Sequence, residues 1–215
     1  MTEEDEPGKH QASGIERVLA LSDGVFAFAI TLLVLDLVVP ILPSTASSTD
    51  LINALLNESS AFVSYLLSFF IAGVWWTAHF RHYERIRRSN LALRWLNLLF
   101  LLWIALLPFF TKILETYGNL QAAVVIYALG QAAAGFCLTI SWLYASKNHR
   151  LIDKNMTADE IRMVTFRHIP VPVIFLISIG LSFISPTIAF ASWYTIAVVY
   201  AIVFILEQKA RKSAS

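Results

Sequence analysis

SGIERVLALSDGVFAFAITLLVLDLVV, residues 13–39, decides how the rest of the chain is read. From Gly24 to Val39 its only polar residues are Thr31 and Asp36. About 25 residues at about 1.5 Å rise make a helix of roughly 37 Å, enough to cross a bilayer with some tilt. Ser13 and Glu16 stand at the spacing of a capping box, which places the start of the helix there. Arg17, Ser22 and Asp23 put polar groups where this helix enters the hydrocarbon. Beyond them, Phe28, Thr31, Leu32 and Leu35 recur at spacings of three and four along one stripe.

The whole composition agrees with a membrane protein. At 57% hydrophobic, 14% charged and mean hydropathy +0.65, the 215 residues lie outside the range of a soluble domain. A net charge of +1 argues for neither nucleic acid nor an acidic partner. The single cysteine, Cys137, excludes an intrachain disulfide and a cysteine metal cage. The acidic start MTEEDEPGKH is unlike the basic n-region of a signal peptide, so the first helix is expected to be retained.

Apolar runs and breakers predict an all-α, six-span architecture. Residues 1–12 read as a disordered cytoplasmic N-terminus, 13–206 as one six-span domain, and 207–215 as a cytoplasmic tail. The second span covers roughly Ser60 to His82, and the third runs from Leu91 to Ile113, with Pro108 near its far end. The fourth, about Leu120 to Ala145, carries Gly130, Ala134 and Gly135, small enough to let helices approach closely. Thr157 and Glu160 form a second capping-box pattern ahead of the fifth, which Pro170 and Pro172 should kink. Ser185-Pro186 suits the cap and first position of the sixth, which reaches about Leu206. All but Lys112 of the 16 basic residues then fall on one side. Both termini on that cytoplasmic side of a cell membrane is the topology that satisfies the positive-inside rule.

Arg17-Val18-Leu19-Ala20-Leu21-Ser22-Asp23 resembles the R-x-x-x-F-S-D signature of the transmembrane-protein-175 family of potassium channels, in its single-repeat prokaryotic members. Leu21 stands where the family usually has Phe. The likeness extends over roughly residues 15–115. It implies a homotetramer, embedded in the lipid bilayer, in which the first helix of each subunit lines a central pore conducting K+ and other monovalent cations. It also implies a constriction of bulky apolar residues in place of a carbonyl filter, at Phe28, Leu32 and Leu35, with the Thr31 hydroxyl beside it. The Phe28 position is normally Ile or Leu in the family. A polar network of Arg17, Ser22, Asp23, Trp76, His79 and Asn97 is implied to hold that helix in place. Where the family often has a His pair, this chain has His79-Phe80.

Other readings compete residue by residue. Arg17 snorkelling to the interface and Asp23 taking a structural hydrogen bond is the plain alternative to a functional pair. Asp36 reads equally as one of a ring of carboxylates at an outer mouth and as an interfacial Asp facing solvent. His79 and His82, with Glu84 nearby, have metal-ligand spacing, but histidines at the end of a span among arginines are more often interfacial. Topology already accounts for the arginine cluster 81–88, with contact to anionic lipid as a secondary role. No Walker A, HExxH or nucleophile elbow occurs, so neither an enzyme nor a cofactor is expected. The rival classes are a secondary or proton-coupled transporter using Asp23 and His79, and a non-conducting scaffold.

Overall fold

The computed structural model describes residues 7–199 except 197, with side chains from residue 14. The described residues are helical, joined by short loops. The helices are α1 (Pro7–Leu35), α2 (Ser48–Asn57), α3 (Ser59–Tyr83), α4 (Leu91–Ala105), α5 (Leu107–Tyr117), α6 (Gln121–Ser146), α7 (Ala158–His168), α8 (Pro170–Ser182) and α9 (Pro186–Ser192). Among the described residues, five helical segments are long and apolar enough to cross a membrane: Gly14–Leu35, Ser59–Tyr83, Leu91–Tyr117, Gln121–His149 and Ala158–Ser182. The sixth expected span starts with α9, where the Ser185 hydroxyl caps the Ile188 amide and Pro186 occupies the first turn. Its end near Leu206, the tail 207–215 and residues 1–6 lie outside the described residues.

Several boundaries differ from expectation, each for a local reason. α1 starts at Pro7, so the expected Ser13–Glu16 capping box does not form and 7–12 continue the helix. Proline is at home in a first turn, where its missing N–H has no intrahelical partner to lose. α1 ends at Leu35, short of Val39, which leaves Asp36 just past the helix terminus. The third span is two helices meeting at Leu106, because Pro108 cannot supply the amide that would bond the Ile104 carbonyl. Pro170 breaks the fifth span likewise, at Ile169. The Thr157–Glu160 box is formed, with the Glu160 carboxylate accepting from the Thr157 amide at 2.7 Å.

α2 begins with a capping box of its own. The Ser47 hydroxyl accepts from the Asp50 amide, and the Asp50 carboxylate accepts from the Ser47 amide at 2.8 Å. That amide holds the exposed Asp50 carboxyl below its usual range. A carboxyl with a depressed folded-state pKa adds stability above its unfolded value and loses it as pH falls through the lowered one. The cap is therefore intact at neutral pH.

The core centres on α6, which packs against α4, α5, α7 and α8. Its glycines are the points of closest approach. A Cβ on Gly130 would strike the Phe110 ring of α5. One on Gly135 would lie 2.8 Å from Pro172 of α8 and 2.9 Å from the Trp75 ring of α3. Cys137 is buried here as a small apolar residue.

The basic connections are joined into one structure. Ile86 and Ile152 pair as an isolated antiparallel bridge, and the Arg87 and Arg88 amides both donate to the Leu151 carbonyl. Asn148 and His149 turn the chain there with φ of 54° and 53°, a conformation Asn tolerates better than most residues. Arg88 donates to the His149 carbonyl, Arg87 lies 3.8 Å from Asp153, and Arg150 covers the Tyr144 ring. The second core cluster, around Trp142 and Tyr83, lies beneath this plate.

Candidate functional site

α1 has two faces. Val18, Ser22, Phe26, Ala29 and Leu33 are buried against α3, α4 and α5. The opposite face carries Arg17, Leu21, Gly24, Phe28, Thr31 and Leu35, all exposed in the single chain. Phe28 is 65% exposed and Leu35 74%, high for apolar residues in the middle and last turn of a packed helix. Leu32 is half-buried at the edge of this face. The Thr31 hydroxyl donates to the Phe28 carbonyl at 2.9 Å, which leaves its oxygen lone pairs turned outward as acceptors.

Behind that face runs a buried chain of hydrogen bonds. Ser22 Oγ donates to the Val18 carbonyl at 2.8 Å and accepts from Asn97 Nδ2 at 3.1 Å. Asn97 Oδ1 in turn accepts from His79 Nε2 at 2.8 Å, which assigns the ring proton to Nε2. α3, α4 and α1 are thereby tied together, with every donor pointing the same way along the chain. His79 is held flat by aromatic rings: Phe100 stacks on it with centroids 5.4 Å apart, and Tyr83 lies at 4.6 Å.

Asp23 belongs to a separate set. Its Oδ1 accepts from Trp76 Nε1 at 2.9 Å on the exposed side of α1 and α3. Trp76 stacks on Phe80. One helical step of 100° separates Ser22 from Asp23 and sends them into different surroundings. Arg17 is exposed and stands apart from both sets. Asp36 is half-buried and within electrostatic reach of Lys112, whose ammonium bonds Glu115 at 2.9 Å.

His82 is buried in the interior and not turned toward Glu84 at the surface. Its ring meets Trp142 at 5.7 Å and His168 at 5.6 Å, and its Nε2 lies 3.4 Å from Ser141 Oγ. No group of three metal-ligating side chains occurs among the described residues. Sequence reasoning missed two further buried links: Trp75 to Gln131 at 2.8 Å, and Thr111 to Ser68 to Tyr127 at 2.8 and 3.0 Å. The only signal for them was a Gln and a Thr inside apolar runs.

A bundle of five apolar helices long enough to cross a bilayer, with its polar side chains bonded to one another inside, defines a polytopic membrane protein. A sequence profile for the endosomal/lysosomal potassium channel TMEM175 matches residues 17–108. A protein from Streptomyces collinus named as a potassium channel is 30% identical over 188 residues, 86% of this chain and 90% of the relative. The human endosomal/lysosomal proton channel TMEM175 is 35% identical over 104 residues, 46% of this chain and 21% of the human protein. The crystal structure of a TMEM175 homologue from Chamaesiphon minutus, described as a lysosomal potassium-selective channel, superposes with a TM-score of 0.76. It is 28% identical, and the match covers 88% of this chain and 97% of that one. The chain belongs to the TMEM175 family, which is a family of ion channels and not of enzymes.

Proposed function

We propose that this chain is one subunit of a homotetrameric, potassium-permeable cation channel of the cell membrane, with α1 of each copy around the central axis and both termini cytoplasmic. The observation that carries the proposal is the exposed face of α1 from Arg17 to Leu35, on the helix that bears the family's motif. An apolar stripe bordered by Arg17 and Thr31, on a helix whose own chain covers only one face, calls for further copies of the same helix. Four Phe28 rings, with Leu35 and the flanking Leu32, narrow the axis and exclude water when closed. Thr31 offers a hydroxyl oxygen beside them, and Asp36 a carboxylate near the outer end. The Ser22–Asn97–His79 chain and the Asp23–Trp76 bond set the rotation of α1 about its own axis.

The same geometry disfavours a proton relay through Asp23 and His79. A relay needs groups that both give and take a proton and are joined to each other, whereas His79 Nε2 is committed to the Asn97 amide and not to Asp23. Asp23 is bonded to an indole, a donor only.

The test is K+ flux into proteoliposomes, wild type beside Phe28→Ala, with Na+ as comparison ion. We expect flux down a K+ gradient alone, and the substitution to change its rate or K+/Na+ preference severalfold. Unaltered flux would move the constriction to Leu32 or Leu35, and flux that required a second ion's gradient would overturn the channel. Native mass measurement should give four copies of the 24.1 kDa chain.

A further inference from the structure

We infer that Lys112 sets how strongly the outer mouth attracts K+, its ammonium being the counter-charge to the carboxylates of Asp36, Glu58 and Glu115. The inference rests on the channel reading, with α1 at the axis and the arginines inside. Lys112 is the one basic residue of the 16 that this topology leaves on the outer side. It stands on α5, which packs against α1 and α3. Its ammonium bonds the Glu115 carboxylate at 2.9 Å. It also lies within electrostatic reach of Asp36, just past the end of α1, and of Glu58, at the joint of α2 and α3. Charged groups from three parts of the chain thus converge on one ammonium.

Asp50 completes the charged groups of that side among the described residues. Its partners are the Ser47 amide and hydroxyl, neutral donors that leave its charge in place. Four carboxylates against one ammonium make the outer side acidic, and each further copy of the chain adds to the excess. Lys112 and Glu115 cancel as a pair, so that Asp36, Glu58 and Asp50 supply the net field. The Lys112 side chain is 44% exposed and that of Glu115 17%, so the pair acts through water at the surface and not by holding an ion between them. An acidic mouth raises the local cation concentration and speeds entry. Salt screens that field, because the Debye length of about 30 Å in about 10 mM salt falls to about 3 Å in about 1 M.

The experiment is single-channel recording of the full chain in bilayers of phosphatidylcholine, in about 10 mM and about 1 M KCl. Lys112→Gln should raise the K+ current about two- to fourfold in the dilute salt, in one current direction only. Glu115→Gln should lower the same current by a similar factor. The double variant, which removes both charges, should bring it back toward wild type. In the concentrated salt all three differences should vanish. A pair with a merely structural role would shift both single variants the same way and leave the double variant no better. Single variants that change the current in the same sense, or differences that persist in the concentrated salt, would overturn the inference. No K+ current from folded wild type would overturn the channel reading, and this inference with it.

Discussion

Asn97→Ala should lower the stability of the detergent-solubilised protein by about 3–5 kcal/mol, a drop of roughly 10 °C in its melting midpoint. Asn97 is almost wholly buried and is the middle member of the chain that joins three helices. Removing it strands the His79 Nε2 proton among Phe100, Tyr83 and Phe26 and leaves a cavity where the amide was. Each buried polar group left unpaired costs about 1–3 kcal/mol, and the void adds to that. Ser22→Ala is the informative comparison. It removes one donor to Val18 and one 3.1 Å acceptor while leaving the 2.8 Å bond from His79 to Asn97 in place. Its cost should be about 1 kcal/mol. Equal melting shifts for the two variants would show that the bridge to His79 contributes little.

Gly135→Val is the second large effect, expected at about 3 kcal/mol or more, with loss of the folded species from size exclusion. The added carbon meets rigid neighbours on both sides. Pro172 sits in the first turn of α8, and Trp75 is fixed by its bond to Gln131, one turn before Gly135 on the same helix. Neither can swing aside as a flexible side chain would. Gly180→Ala provides the contrast, because nothing lies within 4 Å of its added carbon. Alanine there should be neutral or stabilising by up to about 1 kcal/mol through helix propensity alone. If Gly135→Val melts like wild type, the close approach of α6 to α3 and α8 is not what holds the bundle.

Much of this was legible in the residues, and the parts that were not share a cause. Thr157 with Glu160, Ser185 with Pro186, and the kink at Pro170 act through local backbone chemistry, which residue types reveal directly. Ser13 with Glu16 had the same pattern but lies inside a helix that Pro7 had already begun. Ser47 with Asp50 carries the same signal inside a run of small residues that shows no apolar period before it. The stripe on α1 was harder. An apolar helix shows no contrast between faces turned to lipid, to an axis or to its own core. Leu32 therefore read as a full member of a face on which it is only marginal. The buried chain through Asn97 spans residues 75 positions apart, and no spacing within one helix reveals such a link. The joining of the 86–88 and 149–153 loops is hidden for the same reason.

That joining decides where the chain will tolerate added sequence. A reporter peptide placed between Ile86 and Asn90, or between Lys147 and Ile152, must break a pairing that another loop depends on, so each insertion would disturb two hairpins at once. The stretch from Val39 to Ala46 is different. It is non-helical, Ile41 is 99% exposed, and its one turn-closing bond runs from the Ala46 amide to the Pro43 carbonyl. Extra residues there lengthen a single connection at small entropic expense, which makes it the natural place for an epitope or fluorophore on the side opposite the arginines.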